Sequence, residues 1–365
     1  MQKEISDVID HENYPFIGGC YMRSIGVYRD KLDSKISDMY GIKNPSITCS
    51  SGMNAIYLLI QSIIDKNNKN EMIFLVADEM YSDTKRLLNY FVGKHQNLKV
   101  IYFSIQQYED TLDIFKQYKH AIKLMLFESC SNPSGRIFEF EKLVMLKRHA
   151  AGCIICVDNT WLSPVLFNPF FYEVDVVVES MTKYLSSGKR ISGHITVKNK
   201  KLCNYIRNRV QLFGIHVSEE TCHTVYDLLD TLEKRVNDAS IRMGICLEKM
   251  QQIDKINKIV HPFLESHCCY KKAQKYFKGY PSIVILHICS TEDKVKSYFQ
   301  NNMNSQIVFE TSYGNEYAKI DPWPINGSLI EEAIDGVWIR LSMGYNTNVD
   351  NLLDEITRFI NTEDG

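Results

Sequence analysis

The chain has 365 residues, 45% of them hydrophobic and 24% charged, with a formal net charge of −2. That balance argues against a disordered chain and supplies apolar material for two domains. It also gives no long-range positive field, so neither nucleic acid nor an anionic membrane is expected as a partner. No stretch approaches the roughly 18 continuous apolar residues of a membrane-spanning helix, and the opening Met-Gln-Lys-Glu-Ile-Ser-Asp lacks an apolar signal core. Eleven cysteines, an odd number, point to reduced thiols in the cytoplasm rather than a disulfide framework. Cys153 and Cys156 sit in the apolar run 152–157 and read as buried strand residues. Cys268-Cys269 is only a vicinal pair, and no metal site is expected.

Along the chain, Met53–Ile64 is predicted helical, Glu71–Ala77 a strand, Thr84–Phe91 a helix and Leu98–Phe103 a strand. Lys123–Glu128, Cys153–Asp158 and Val174–Val178 are short apolar strands. Such alternation implies an α/β fold with a mostly parallel sheet covered by helices on both faces. Ligands bind such sheets beyond the carboxyl ends of the strands. Residues 219–257 carry helical periodicity through Val225, Leu228, Leu229, Leu232 and Val236. After them, apolar runs at Ser282–Ile288, Gln306–Glu310 and Val337–Leu341 alternate with helical stretches. That pattern predicts a smaller α+β domain. The expected division is an arm over 1–40, a large domain over 41–235 and a small one over 236–365.

Several strand ends carry candidate chemistry. The run Val176-Val-Val-Glu-Ser180-Met-Thr182-Lys183 leads a strand into a hydroxyl-rich turn with one lysine. A lysine whose pKa is lowered can condense with an aldehyde, with Ser180 and Thr182 placed to bind a phosphate beside it. Alone, such a lysine is ordinarily a solvated surface residue. Asp158 ends a strand and suits a protonated pyridine nitrogen, or simply caps a turn. Ser51, Gly52 and Met53 open a helix and offer either an anion site or an ordinary cap. Tyr81 follows a strand and could stack on a ring, although most tyrosines only pack. Asn132 sits in an Asn-Pro turn. Arg340, inside an apolar strand, needs an anion: a substrate carboxylate or a structural acid.

In this order and spacing, these segments resemble the Cys/Met-metabolism pyridoxal 5′-phosphate (PLP) enzymes, the cystathionine γ-synthase, cystathionine lyase and methionine γ-lyase family. Ser180-Met-Thr-Lys183-Tyr184 matches S-x-T-K-Y, Ser50–Ile56 matches S-S-G-M-x-A-I, and Val157–Thr160 matches V-D-N-T. Glu128-Ser-Cys-Ser-Asn132-Pro133 resembles E-x-P-x-N-P. Tyr21-Met-Arg23 through Leu32-Asp33, Val260–His267, Ser312-Tyr-Gly314 and Arg340–Gly344 extend the likeness to both ends.

The resemblance implies a fold-type I, aspartate aminotransferase-like architecture with PLP as cofactor. Lys183 would form the Schiff base and shuttle protons, Asp158 would pair with the ring nitrogen, and Tyr81 would stack on the ring and share in proton transfer. Ser51, Gly52, Met53, Ser180 and Thr182 would hold the phosphate. Tyr21 and Arg23 would reach a neighbouring subunit's phosphate, in a homo-oligomer of dimers or tetramers with shared sites. Arg340, with Ser312 and Asn132, would grip the substrate's carboxylate.

Three departures stand out: Ser82 and Asp83 replace the glycines of Y-G-G-T, Lys189 follows Gly188, and 315–323 has no counterpart. The expected activity is β- or γ-elimination, or γ-replacement, on a sulfur amino acid or an O-activated homoserine or serine. The alternatives are another PLP reaction of specialised amino-acid metabolism, such as aminotransfer, and a non-catalytic protein on the same fold.

Overall fold

The computed structural model describes residues 26–67, 70–301, 307–321 and 336–362. Tyr21 and Arg23 lie outside them.

Seven strands form the main sheet: β1 (Ile47–Cys49), β2 (Met72–Ala77), β3 (Leu98–Phe103), β4 (Ile122–Glu128), β5 (Ile154–Asp158), β6 (Val176–Ser180) and β7 (Gly193–Val197). Their spatial order is β1-β7-β6-β5-β4-β2-β3. The five strands β3, β2, β4, β5 and β6 pair in parallel. Among the described strands of this sheet, only β7 runs against its neighbours β6 and β1.

The sheet is buried on both faces, as unbroken apolar strands require. Along β2, Ile73, Leu75 and Ala77 enter one core while Met72, Phe74 and Val76 enter the other. This is the two-residue alternation of a pleated strand. Helices Gly52–Asn67, Ser82–Lys94 and Lys200–Phe213 cover the second face through Leu58, Leu88 and Ile206. Helices Val27–Tyr40, Tyr108–Tyr118 and Glu219–Leu228 cover the first through Leu32, Phe115 and Val225.

A second sheet holds β8 (Ile256–Val260), β9 (Ile283–Ile288), β10 (Ile307–Phe309), β11 (Ala318–Asp321) and β12 (Val337–Ser342), ordered β10-β11-β12-β9-β8. Helices Leu232–Met250, Glu292–Asn301 and Val349–Thr362 pack on it around Met243, Phe299 and Ile356.

The mostly parallel sheet and the smaller second layer match the expectation. The details differ in three places. The strand expected at 174–178 runs over Val176–Ser180, so Ser180 ends the strand itself. The helical periodicity of 219–257 holds only to Met250, interrupted by a turn at Leu229–Thr231. Beyond it, Ile253, Ile256 and Ile259 keep a three-residue spacing, but Ile256–Val260 pairs with β9 and becomes strand. Tertiary pairing overrides the local period there. The short strands β1, β7 and β11 are additions to the sequence reading.

Phe127 ends the apolar run of β4 fully buried, with its ring 5.2 Å from Phe138 and 5.8 Å from Phe140. Truncating such a side chain leaves a cavity and costs about 3–5 kcal/mol. Phe127→Ala should lower the unfolding free energy by about that much, as measured by urea titration. A change below about 1 kcal/mol would contradict this packing.

Candidate active site

The carboxyl ends of β2, β4, β5 and β6 converge on one edge of the main sheet, and the turn after β10 reaches it from the second sheet. Together they enclose a cleft of about 330 Å³ lined by Ser51, Gly52, Met53, Tyr81, Asn132, Asp158, Ser180, Thr182, Lys183, Ser312 and Arg340. Every expected site residue among the described ones is there. Lys189 does not line the cleft; it is exposed.

Lys183 hangs from the turn that follows β6. Its Nζ donates to Ser312 Oγ at 2.7 Å and lies 5.1 Å from the centre of the Tyr313 ring. Burial, reinforced by Arg340 and Lys319, lowers its pKa to about 8. A neutral amine is therefore accessible near physiological pH.

The turn carrying Ser312 can come this close because of Gly314, whose φ is +82°. A Cβ at Gly314 would lie 2.6 Å from the Tyr184 nitrogen and 2.7 Å from the Lys183 carbonyl carbon. Ser312 itself has φ +107°, a strained conformation for a residue with a side chain.

The first turn of helix Gly52–Asn67 faces the same cleft. Ser51 Oγ accepts from the Asn54 N–H at 3.0 Å, so Ser51 is an N-cap. A Cβ at Gly52 would meet the Ser180 Cβ at 2.8 Å. Glycine thus brings the helix N-terminus against Ser180, and the N–H groups of such a terminus attract an anion. The Thr182 hydroxyl is engaged with the backbone of Ser192, donating to its carbonyl and accepting from its N–H, both at 3.2 Å.

Two acids end neighbouring strands in register, Glu128 on β4 and Asp158 on β5. Thr160 donates to Asp158 Oδ1 through its backbone N–H, at 3.0 Å, and through its hydroxyl. Burial raises the Asp158 pKa, and the Thr160 bonds offset part of that. Glu128 is pushed up further, first by burial and then by Asp158. Its two oxygens accept the N–H groups of Tyr81 and Asn132, each at 2.8 Å. One carboxylate thereby fixes the loops after β2 and β4.

Tyr81 remains 43% exposed at the cleft wall. Its hydroxyl donates to Asp83 Oδ2 at 3.1 Å, and Asp83 pairs with Arg86 at 2.8 Å. Burial, then Asp83, raises the phenol's pKa, so Tyr81 keeps its proton. Of the two readings of a strand arginine, the structure shows the structural acid. Arg340 lines the cleft, and its Nη2 donates to Thr311 Oγ1 at 2.6 Å and to Asp321 Oδ2 at 3.1 Å. Asp321 is its cross-strand partner on β11.

Other cleft residues went unassigned in the sequence: Glu128, Cys130, Thr160, Trp161, Ile191, Thr311 and Tyr313. Glu128 and Thr160 stand inside the quoted motifs, and strand-end position was their signal. Ile191 carries no local signal at all.

PLP needs an amine for its aldehyde, an acid for its ring nitrogen and N–H or hydroxyl donors for its phosphate. The half-buried Lys183 amine, half-buried Asp158 and the Gly52 helix terminus meet those needs in one cleft. Residues 3–322 match the family described as Cys/Met metabolism PLP-dependent enzyme. The chain belongs to this family and is a PLP-dependent enzyme. It is 24% identical over 294 residues to the chloroplastic mimosinase of Mimosa pudica, covering 80% of this chain and 62% of that one. It is 25% identical over 343 residues to cystathionine beta-lyase of Lactococcus lactis, covering 92% and 86%. The crystal structure of cystathionine gamma synthase from Xanthomonas oryzae with cystathionine superposes with a TM-score of 0.82 at 22% identity, over 93% of this chain and 87% of that one. No described helix is long and apolar enough to cross a membrane.

The lowered lysine pKa has a measurable consequence. In cofactor-free protein, the rate of condensation with PLP should rise with pH through about 8, as Lys183 loses its proton. Stopped-flow absorbance across pH measures this. A midpoint at the ordinary lysine value of about 10.4 would contradict the buried-amine geometry.

Proposed function

We propose that this enzyme catalyses β- or γ-elimination, or γ-replacement, on a sulfur amino acid or an O-activated homoserine or serine. The observation that carries the reading is the half-buried Lys183 amine, held by Ser312 and sharing its cleft with Arg340. Lys183 is the residue that would carry the cofactor, with Asp158 at its ring nitrogen and Gly52, Met53 and Ser180 around its phosphate. Bound there, PLP supplies an electron sink for the pair left on the substrate's α-carbon.

The chain's own groups would do the rest. Lys183 Nζ, as a neutral amine, takes the α-proton and returns it as an ammonium acid. Ser312 Oγ orients that nitrogen through its 2.7 Å bond. Arg340 grips the substrate's carboxylate, with Asp321 and Thr311 aligning the guanidinium beforehand. Tyr81 holds a proton at its hydroxyl within the cleft wall and can give it to a departing group. Tyr21 and Arg23 would complete the phosphate site of a neighbouring subunit in a homo-oligomer.

A second reading, in which the leaving group or the reaction differs, aminotransfer included, rests on the altered cleft wall: Ser82 and Asp83 stand where the family has glycines, and Asp83 accepts the Tyr81 hydroxyl.

Incubation with cystathionine, methionine, cysteine and O-acylated homoserines and serines, with 2-oxo acid, ammonia and thiol measured, separates the readings. Turnover of one or more is expected. Amine transfer without elimination across the panel would overturn the first reading. Lys183→Ala should abolish turnover and the visible absorbance gained on adding PLP. Arg340→Ala removes hydrogen bonds to a charged carboxylate, each worth about 1.5–3 kcal/mol. It should lower kcat/KM by about 10- to 100-fold, mainly through KM. Unchanged KM would remove Arg340 from the carboxylate site.

A further inference from the structure

Outside the cleft, His267, Cys268 and Cys269 place three donor atoms within 4.8 Å of one another. They follow β8, on the connection from β8 to β9 within the second sheet. The vicinal pair reads in sequence as two unrelated thiols, because neither zinc-type spacing nor a second pair accompanies it. Folding supplies what spacing does not.

The two sulfurs lie 3.9 Å apart. Two zinc–sulfur bonds of about 2.3 Å at a tetrahedral angle set their sulfurs about 3.8 Å apart. A disulfide is a poor alternative. Neighbouring Cα atoms are about 3.8 Å apart, short of the roughly 4.4 Å lower end of disulfide geometry.

The imidazole is held as a ligand would be. His267 Nε2 lies 2.8 Å from the Ser134 carbonyl oxygen. A carbonyl only accepts, so the proton is on Nε2 and Nδ1 keeps its lone pair. That lone pair accepts the Cys269 backbone N–H at 3.1 Å, a bond that a metal at Nδ1 replaces, and Nδ1 lies within 4.8 Å of both sulfurs. Donating one ring N–H to a backbone carbonyl is how proteins orient a metal-binding histidine. Cys269 is buried and Cys268 exposed, so the site has a fixed floor and a solvent-facing side. Gln106 closes its rim by donating to Cys268 Sγ at 2.6 Å.

We propose that His267 Nδ1, Cys268 Sγ and Cys269 Sγ bind one zinc-class ion, a soft or borderline divalent cation, with the fourth position open to solvent. Binding converts two thiols to thiolates, releases their two protons to solvent and breaks the hydrogen bond from the Cys269 N–H to His267 Nδ1. Three segments meet at the ion. Gln106 follows β3. Ser134 and Ile137 follow β4, with the Ile137 N–H donating to Cys269 Sγ at 3.2 Å. Residues 267–269 come from the second sheet's connection. The site therefore clamps the base of the loop that carries Asn132 into the cleft.

The test uses the PLP-loaded full chain, stripped of metal by dialysis. Cadmium titration is followed by the ultraviolet sulfur-to-cadmium charge-transfer band, and bound zinc is counted by elemental analysis. One ion per chain is expected in the wild type and in Cys289→Ser, which removes the other exposed described thiol. Cys268→Ser, a change at an exposed side chain, should keep its metal-free unfolding midpoint and bind at least about 100-fold more weakly. His267→Gln should weaken binding about 10- to 100-fold. Absence of the band in the wild type, or equal binding by Cys268→Ser, overturns the proposal.

Discussion

Removing a primary amine from water disfavours its charged form, and this site is arranged around doing that to Lys183. The lysine sits on the main sheet, but the groups that bury it come from the second: Ser312, Tyr313 and Arg340. Closing the second sheet over the lysine demands a backbone approach that only a glycine at 314 allows. The same loss of water acts in the opposite sense on the acids across the cleft. Lys183 is lowered while Asp158 and Glu128 are raised. Desolvation thus moves base and acids toward neutrality together. A cofactor with an aldehyde and a basic ring nitrogen would give Lys183 a bonding partner and Asp158 a charge partner.

The strand edge supplies position and the loops supply reach. Glu128 is central here without being an obvious reactant. It stands at the end of β4 and ties down the Tyr81 and Asn132 backbones at once. Asp321 plays the matching part on the second sheet by aligning Arg340 across the β11–β12 pair. Each side of the cleft has an acid whose hydrogen bonds hold another group in place.

Much of this was legible in the sequence because its chemistry-bearing residues follow strands directly. Asp158, Ser180 and Lys183 sit at or just past apolar runs, and a parallel sheet must bring those ends together. What the sequence concealed depends on contacts between distant segments. The pairing of β8 with β9 turned an apparent helix into strand. The approach of Tyr313 and Thr311 to Lys183 rests on a turn between two short strands with no periodic signal. Asp321 becomes the partner of Arg340 only through cross-strand register.

Ser312 combines two demands that no single residue type satisfies well. Its backbone adopts φ +107°, which glycine would accept freely, yet its hydroxyl is what holds the lysine. A glycine there would relax the chain and leave the amine unanchored. Selection for heat resistance and selection for turnover would accordingly pull this codon in opposite directions. A serine standing in a glycine's conformation sets the ease of this turn against its hold on Lys183.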